Sequence, residues 1–529
     1  MPGSGSHYDV IIVGGGINGA GIARDAAMRG LDVLLLEQND FGSGTSSWSS
    51  RLIHGGLRYL EYAEFALVYE SLRERRILQR SAPHLVKSIR LNIPVYEGSK
   101  RGMLLLRAGM IAYDLLSWRK SLPRHRVLSR DEFLQNEPGV RSKGLRGGVQ
   151  YFDAQATFAE RLVVENIIAA AEAGAIVRNY SPVTAIDIEE GQVRSVHYID
   201  GESGAQCRAG ATVVVNAGGP WVDQVLSKAG LPMSQLMGGT KGSHVIVGPF
   251  AGAPKDAFYI EAQADARPLF IIPWNSQYLI GTTDLRYEGD PAQASASRAE
   301  IRYLLAETNR IFPQARLRER NINFAYAGVR PLPYRSAGPE SAITRKHIIR
   351  RHQNAKGLLS VIGGKLTTYR NLAEQITDRI VRRCGLKAGQ CRTREVNLPG
   401  AKDLQAANGQ LRDNELLTAE GTERLLRIYG SRAGGILDLA RQSAESIATV
   451  DPKKTILAAE IQFVIRHEFA RNLIDILHRR TMAGLSPDLG ASVTKGVAAV
   501  ASAELGWDER ETERQLQALE NYNGRLKLQ

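Results

Sequence analysis

Residues 10 to 13, Val-Ile-Ile-Val, are an unbroken apolar run, and Val33 to Leu36 are another. Apolar runs without alternation predict parallel strands covered on both faces. Between them the pattern changes to a helix from about Ile17 to Met28, which Gly30 stops. Further along, 62 to 90 read as a surface helix with Leu67, Leu72, Ile77 and Leu78 among many charges, and 91 to 96 as a strand. GGVQYFDAQ precedes a helix from about Thr157 to Ala173. AIVRNY is a strand, and SPVTAIDIEEGQVRSVHYID is a β-hairpin turning near Gly191. VVVNAGGPW is a further apolar strand ending in glycines. From 236 to 335 short β-rich runs alternate with turns, which predicts an antiparallel sheet, with a helix inserted over 296 to 312. SVIGGKLTTYRNLAEQITDRIV reads as strand, glycine turn and helix. From about 396 the pattern is helical. Over 458 to 480, Glu468, Arg471, Asp475 and Arg479 are spaced for ion pairs along one helix face, a solvated network or a partner surface.

The 529 residues imply several domains with ample apolar content. The net charge of +13 calls for an anionic partner: nucleic acid, an acidic lipid surface or an anionic substrate. Cys207, Cys384 and Cys391 are scattered, with neither metal-ligand spacing nor a disulfide framework, which suits a reducing compartment. The polar start MPGSGSH leads straight into the first strand, leaving no room for a signal peptide, and no apolar run is long enough to span a bilayer. The basic residues are dispersed, so no nucleic-acid partner is expected.

Gly14, Gly16 and Gly19 fall between the first strand and helix at the spacing of a dinucleotide fingerprint. The first allows a tight turn, the second lets backbone approach a diphosphate, and the third lets helix and strand pack closely. The helix then aims its N–H groups and positive dipole end at the phosphates. Glu37 ends the second strand, placed to accept a ribose hydroxyl bond and to repel a 2′-phosphate. The residues leave FAD or NAD open. The loop 41 to 61, FGSGTSSWSSRLIHGGLRYLE, carries the hydrogen-bonding groups Thr45, Ser46, Ser47, Ser49 and Ser50 and the cations Arg51 and Arg58.

The glycine turn followed by TSSWSSRLIHGGLRYLE resembles the FAD-dependent glycerol-3-phosphate dehydrogenases, respiratory enzymes that reduce quinone. KGSHVIV at 241 to 247, AGVRPL at 327 to 332 and GGKLTTYR at 363 to 370 fit as well. The likeness runs from about residue 8 to the C-terminus. It implies an α/β fold: a Rossmann-like FAD domain of the D-amino-acid-oxidase-like class, an antiparallel β substrate domain and a C-terminal helical cap. The expected division is FAD domain over 1–90, 149–235 and 336–395, a substrate- or membrane-facing segment over 91–148, substrate sheet over 236–335 and cap over 396–529. The resemblance implies FAD contacts from Gly14, Gly16, Asn18, Gly19, Glu37, Thr45, Ser46, Ser50, Arg51, Leu52, His54, Val183, Ala217, Gly218, Gly364, Lys365, Leu366 and Thr367.

Removing hydride from a secondary alcohol needs a base and fixed positive charge for the developing alkoxide and the phosphate. By resemblance, Arg58, Tyr59, Arg330, Lys365 and Thr368 bind glycerol 3-phosphate, with Arg330 nearest the reacting carbon. His54 and His244 are the candidate bases, since imidazole titrates near neutral pH, and His54 alternatively packs on the flavin. No metal is expected.

Residues 100 to 126 place an apolar centre, Met103 to Trp118, among Lys100, Arg101, Arg107, Arg119, Lys120, Arg124 and Arg126. Such a stretch is a buried helix with a charged rim, or it lies in a membrane interface with its cations on acidic headgroups. The resemblance favours the membrane, on the inner face of the cytoplasmic membrane, and implies quinone as electron acceptor. A homodimer is left open. Three other readings remain: an oxidase that passes electrons to oxygen, an amine or amino-acid oxidase of the same fold class, and, ranked last because the basic residues are dispersed, a non-catalytic basic module for nucleic acid or lipid.

Overall fold

The computed structural model describes residues 6–117, 122–231, 234–336, 338 and 343–528, the side chain of Arg58 excepted. Two large sheets organise it. In the first, of eight strands, His7–Val13 lies between Val33–Leu36 and Gln206–Asn216, all parallel. Ala355–Ile362 continues the parallel order beyond Gln206–Asn216. The hairpin Val183–Glu189 and Gln192–Ile199 is antiparallel and turns at Gly191, whose φ is +72°. The continuous apolar runs are buried on both faces, as their lack of alternation required. One face is covered by three helices, Ile17–Met28, Ala159–Glu172 and Tyr369–Cys384, and the other by the hairpin and Val222–Ser227.

The second sheet has ten strands. The runs between 240 and 330 pair antiparallel, and the helix Arg298–Ile311 lays Leu304 and Leu305 on their outer face. Val86–Tyr96 and Leu145–Ala156 extend the same sheet, paired almost end to end. Domain boundaries expected after residues 90 and 148 therefore fall inside paired strands. Ala257–Glu261 joins Val86–Tyr96 in parallel, the one departure from the antiparallel pattern among the described residues.

Two further expectations are corrected. The helix expected over 62 to 90 is shorter, Phe65–Ser81, and only one face of it is at the surface: Phe65, Tyr69, Arg76 and Arg80 are exposed, whereas Leu67, Val68, Ser71, Leu72, Glu74 and Arg75 are buried, and Glu74 holds the buried Arg370 through two bonds of 2.6 and 2.7 Å. Glu74 and Arg75 pair inward, with Arg370 and Asp153, whereas Arg76 and Arg80 face water. Nor do Glu468, Arg471, Asp475 and Arg479 form a solvated network on one helix. The helix Ala458–His467 ends before Glu468, and the chain coils again only at Asp475–Arg480. Glu468 is fully buried and binds Arg161 and Arg432, whereas Arg471 reaches out to Glu202. Arg479 bonds both Asp475 (2.7 Å) and Asp40 (2.5 Å), and Arg480 grips Asp40 at 2.8 and 2.9 Å. Burial would raise the Asp40 carboxyl, but Arg480 and Arg479 outweigh it and hold it at about 2. This cluster fastens the helical C-terminal region to the end of the first βαβ unit. An apolar core runs without a break from the second sheet into the same helices.

Candidate active site

The cleft begins at the glycine turn. Gly14 has φ +112°, and a Cβ there would stand 2.6 Å from the Ala217 carbonyl oxygen. A Cβ on Gly19 would stand 1.9 Å from the Gly14 carbonyl oxygen, so the helix can lie against the strand only with glycine there. Glu37 accepts the N–H groups of Gly15 (2.6 Å) and Asn39 (2.8 Å), which fixes its carboxylate at the rim, and burial raises its pKa. The Asn18 Oδ1 is buried and has no partner among the described residues.

A cavity of about 560 Å³ opens over this turn. Gly14, Gly16, Asn18, Glu37, Thr45, Ser46, Val183, Ala217, Gly218, Gly364, Lys365 and Leu366 all line it. An elongated dinucleotide fits its chemistry: a glycine floor at a helix start, an acid for a ribose, and flat walls from Trp48, Tyr180, Trp221 and Tyr522. Those aromatic walls, Lys228 and Arg525 escaped the reading of the sequence. Tyr180, Tyr522, Lys228 and Arg525 stand outside the glycine and hydroxyl motifs, and Trp48 and Trp221 stand inside such stretches without a signal of their own, so only the fold turns them to the cleft.

The hydroxyl loop is engaged with the protein itself. Ser46 Oγ accepts the Ile17 N–H (3.0 Å), capping the opening helix, and Thr45 donates to the Val329 carbonyl (2.7 Å). Ser50 pairs with His244 (2.9 Å) and lies off the cavity wall. Arg51 does not balance a phosphate. It is completely buried and forked on Glu160 at 2.6 and 2.7 Å, with Trp274 beneath it at 4.7 Å. An always-charged guanidinium that close to a carboxylate has no reason to leave it. Leu52 points into the core of the second sheet. Thr367 bonds the His54 backbone, and Thr368 is buried at the start of Tyr369–Cys384; neither reaches the cavity.

The expected substrate set is partly assembled. Lys365 Nζ donates to Ser71 Oγ at 2.6 Å and lies 4.5 Å over the Tyr59 ring. Burial lowers its pKa to about 7, against the pull of Glu70, Glu64 and Asp153. Arg330 lies beyond, at the end of the strand whose Val329 lines the cavity. It bonds Asp284 (3.0 Å), Thr282 Oγ1 (3.0 Å) and the Thr283 carbonyl (3.1 Å). Asp284 also binds Arg345 at 3.1 Å, so a carboxylate joins two guanidiniums, and the charge of Arg345 is felt at Lys365. Asp284 and Arg345 carry no motif signal. The side chain of Arg58 lies outside the described residues.

The candidate bases fare worse. His244 is 2 % exposed, stacked on Tyr326 at 4.8 Å and bonded to Ser50, and burial with Arg330 and Arg51 nearby pushes its pKa far below normal. Burial takes His54 down to about 4, which keeps the ring neutral near pH 7. Of these three groups, Lys365 titrates nearest neutrality.

The helix Met103–Leu116 is not a buried helix. Only Leu106, Met110 and Tyr113 face inward, whereas Leu104, Leu105, Ile111 and Leu115 are 81, 60, 53 and 62 % exposed. Tyr62, Phe65 and Tyr69, on the two helical segments it touches, are exposed as well. Arg101 is not a headgroup contact, being bound to Glu61 and Glu261. Arg119 and Lys120 lie outside the described residues. No helix among the described residues is long and apolar enough to cross a membrane.

Residues 9–370 match the family described as FAD dependent oxidoreductase, and residues 391–512 that described as C-terminal domain of alpha-glycerophosphate oxidase. The chain is 44 % identical to a glycerol-3-phosphate dehydrogenase of Synechocystis over 97 % of its length and 96 % of that protein. It is 34 % identical to one from Mycobacterium leprae, over 99 % of this chain and 88 % of the other. Among solved structures, the glycerol-3-phosphate dehydrogenase from Bacillus halodurans complexed with FAD superposes with a TM-score of 0.82 at 28 % identity, covering 99 % and 95 % of the two chains.

Proposed function

The chain belongs to the FAD-dependent glycerol-3-phosphate dehydrogenase/oxidase family, and from that premise we propose that it oxidises glycerol 3-phosphate to dihydroxyacetone phosphate at a membrane surface and passes the electrons to a quinone. Gly14, Gly16 and Asn18 hold the diphosphate of FAD, and Glu37 its ribose. Bound FAD supplies the hydride acceptor. Arg330 and Arg345, tied together by Asp284, give fixed positive charge for the substrate's phosphate and for the developing alkoxide. The Lys365 amine, neutral above about pH 7, takes the hydroxyl proton in the place first given to His54.

The observation that carries the substrate reading is this cation group at the edge of a dinucleotide cleft. Quinone as acceptor is supported by the exposed leucines of Met103–Leu116, which present an apolar face without an internal partner. On the opposite face of that helix, the Tyr113 hydroxyl accepts the Gly55 N–H at 3.0 Å, one residue from His54.

Anaerobic addition of glycerol 3-phosphate to the purified yellow protein should bleach it, and a quinone in anionic vesicles should restore the colour. Persistent colour removes the substrate. Peroxide formed at one equivalent per substrate, without vesicle binding, makes it an oxidase. Bleaching by sarcosine or a D-amino acid instead moves it to another activity of the fold class.

A further inference from the structure

The cleft is not made by the nucleotide-binding part of the chain alone. Asn472, Ile474, Arg479, Tyr522, Arg525 and Leu526, all from the C-terminal region, stand in its wall. Three of them belong to the last helix, Glu509–Leu526. The Tyr522 ring packs on Trp48 of the hydroxyl loop (6.4 Å between centroids, 37° between planes) and against His478 (4.8 Å). His478 Nε2 pairs with Asn523 Oδ1 at 2.8 Å, and Asn523 donates to the Leu489 carbonyl at 3.2 Å. Arg525 reaches the Ala292 carbonyl, itself on the cavity wall, at 2.5 Å, and no carboxylate among the described residues pairs with it.

We propose that the last helix is the retaining wall of the cofactor cleft: Tyr522 closes its side against Trp48, and Arg525 adds a cation at its mouth. This rests on the reading that FAD occupies the cavity. A diphosphate is dianionic, and the guanidiniums at the end of the first βαβ unit are already paired: Arg479 with Asp40 and Asp475, Arg480 with Asp40, and Arg51 with Glu160. Among the described guanidiniums on this wall, Arg525 is the one that no carboxylate pairs. Tyr522 contributes a large rigid face whose position is held from the C-terminal side by His478 and from the N-terminal side by Trp48. The buried clamp on Asp40 then has a purpose beyond stability, because it keeps the wall registered on the floor. The C-terminal region so becomes part of the flavin site.

The test is the rate at which the FAD-loaded full-length protein releases flavin after dilution, read as free-flavin fluorescence. Tyr522→Ala/Arg525→Ala should release FAD about tenfold faster, the equivalent of one lost aromatic contact. Circular dichroism and the melting temperature of the apoprotein should stay unchanged. Release at the parental rate overturns the proposal. If the double variant is misfolded, Tyr522→Leu, which keeps the site apolar but loses the flat ring and the hydroxyl beside Arg479, decides by the same measurement when set against Tyr522→Phe, which loses the hydroxyl alone: release faster than that of Tyr522→Phe supports the wall and equal release refutes it. Gly14→Val separates the two readings. If it still binds FAD normally, the cavity is not the flavin site. If it loses FAD while the Tyr522 variants keep the parental rate, only the wall is refuted.

Discussion

The dinucleotide cleft and the cation pocket meet at Lys365, yet they are built in opposite ways. The floor of the cleft comes from one βαβ unit: Gly14, Gly16, Gly19 and Glu37 lie within a single local stretch, and each acts through backbone geometry or a terminal carboxylate. The pocket is collected from separate elements. Arg330 ends a strand of the second sheet, Asp284 follows the strand Gln277–Gly281, Arg345 precedes the edge strand Ile348–His352, and Ser71 sits on a helix of the other half. A glycine that must adopt a positive φ is visible from its neighbours in sequence. A cation's role depends on its partner, and the partner is named only by the fold.

Two substitutions should break the regions in different ways. Gly14→Val has the largest expected effect: its Cβ would press on the Ala217 carbonyl at a φ of +112°, so the protein should purify colourless. Arg330→Lys keeps the charge but loses the fork that reaches Asp284 and Thr282 together, so turnover should drop by roughly 10²–10³ while flavin content stays normal. Absorbance spectra and steady-state rates of the two variants, side by side, measure the contrast. A colourless Arg330→Lys, or a yellow Gly14→Val, would show that the two regions are not separable.

Arg51 shows why the pocket was the harder region to read. It occupies a matching motif, as Arg58 and Arg330 do, and nothing around it in sequence distinguishes a phosphate ligand from a structural ion pair. Its partner Glu160 stands over a hundred positions later, at the start of Ala159–Glu172. The same holds for Arg479 and Arg480, whose partner Asp40 lies at the other end of the chain. The βαβ unit, the hairpin at Gly191, the antiparallel sheet and the glycine turn before Tyr369–Cys384 were legible because each is specified by residues adjacent in sequence. The pairing of Val86–Tyr96 with Leu145–Ala156 was not, since strand partners across an intervening helix leave no local mark. Glu160→Gln tests the structural assignment of Arg51. Leaving the buried guanidinium without its counter-charge should destabilise the fold by about 3–5 kcal/mol in denaturant unfolding. A variant of unchanged stability would return Arg51 to the list of candidate ligands.

Lys365, where the two regions meet, gives a smaller and signed effect. Its pKa is depressed from 10.5 to about 7, so between those values the unfolded chain binds the extra proton. Its contribution to stability therefore grows as pH rises from about 7 to 10.5, and below 7 the buried ammonium weighs against the fold. If the neutral amine is the base, kcat/KM should climb about tenfold per pH unit up to about pH 7 and then level off. Lys365→Arg, charged throughout, should remove that rise. A rate that falls instead as pH passes 7 would mean that the ammonium form is needed, as an anchor for the phosphate, and that proton removal belongs to another group.

The smallest effect on chemistry is expected from the surface that the sequence could not decide. Leu105 and Ile111 lie on the exposed side of Met103–Leu116, and neither belongs to a buried cluster. Each leucine-sized side chain inserted into lipid contributes about 1.5–3 kcal/mol, so placing two carboxylates there removes that gain and adds repulsion from anionic headgroups. Leu105→Asp/Ile111→Asp should fail to sediment with anionic vesicles, yet keep its flavin and its rate with a soluble electron acceptor. The inward face sets the control. Tyr113→Phe removes the hydroxyl that accepts the Gly55 N–H and donates to Asp153 at 2.9 Å, so it should leave vesicle binding intact and lower the rate instead. Vesicle binding lost in the inward variant but kept in the outward one would place the docking surface elsewhere on the molecule, because the two faces of a single helix would then have exchanged the roles that their exposure assigns.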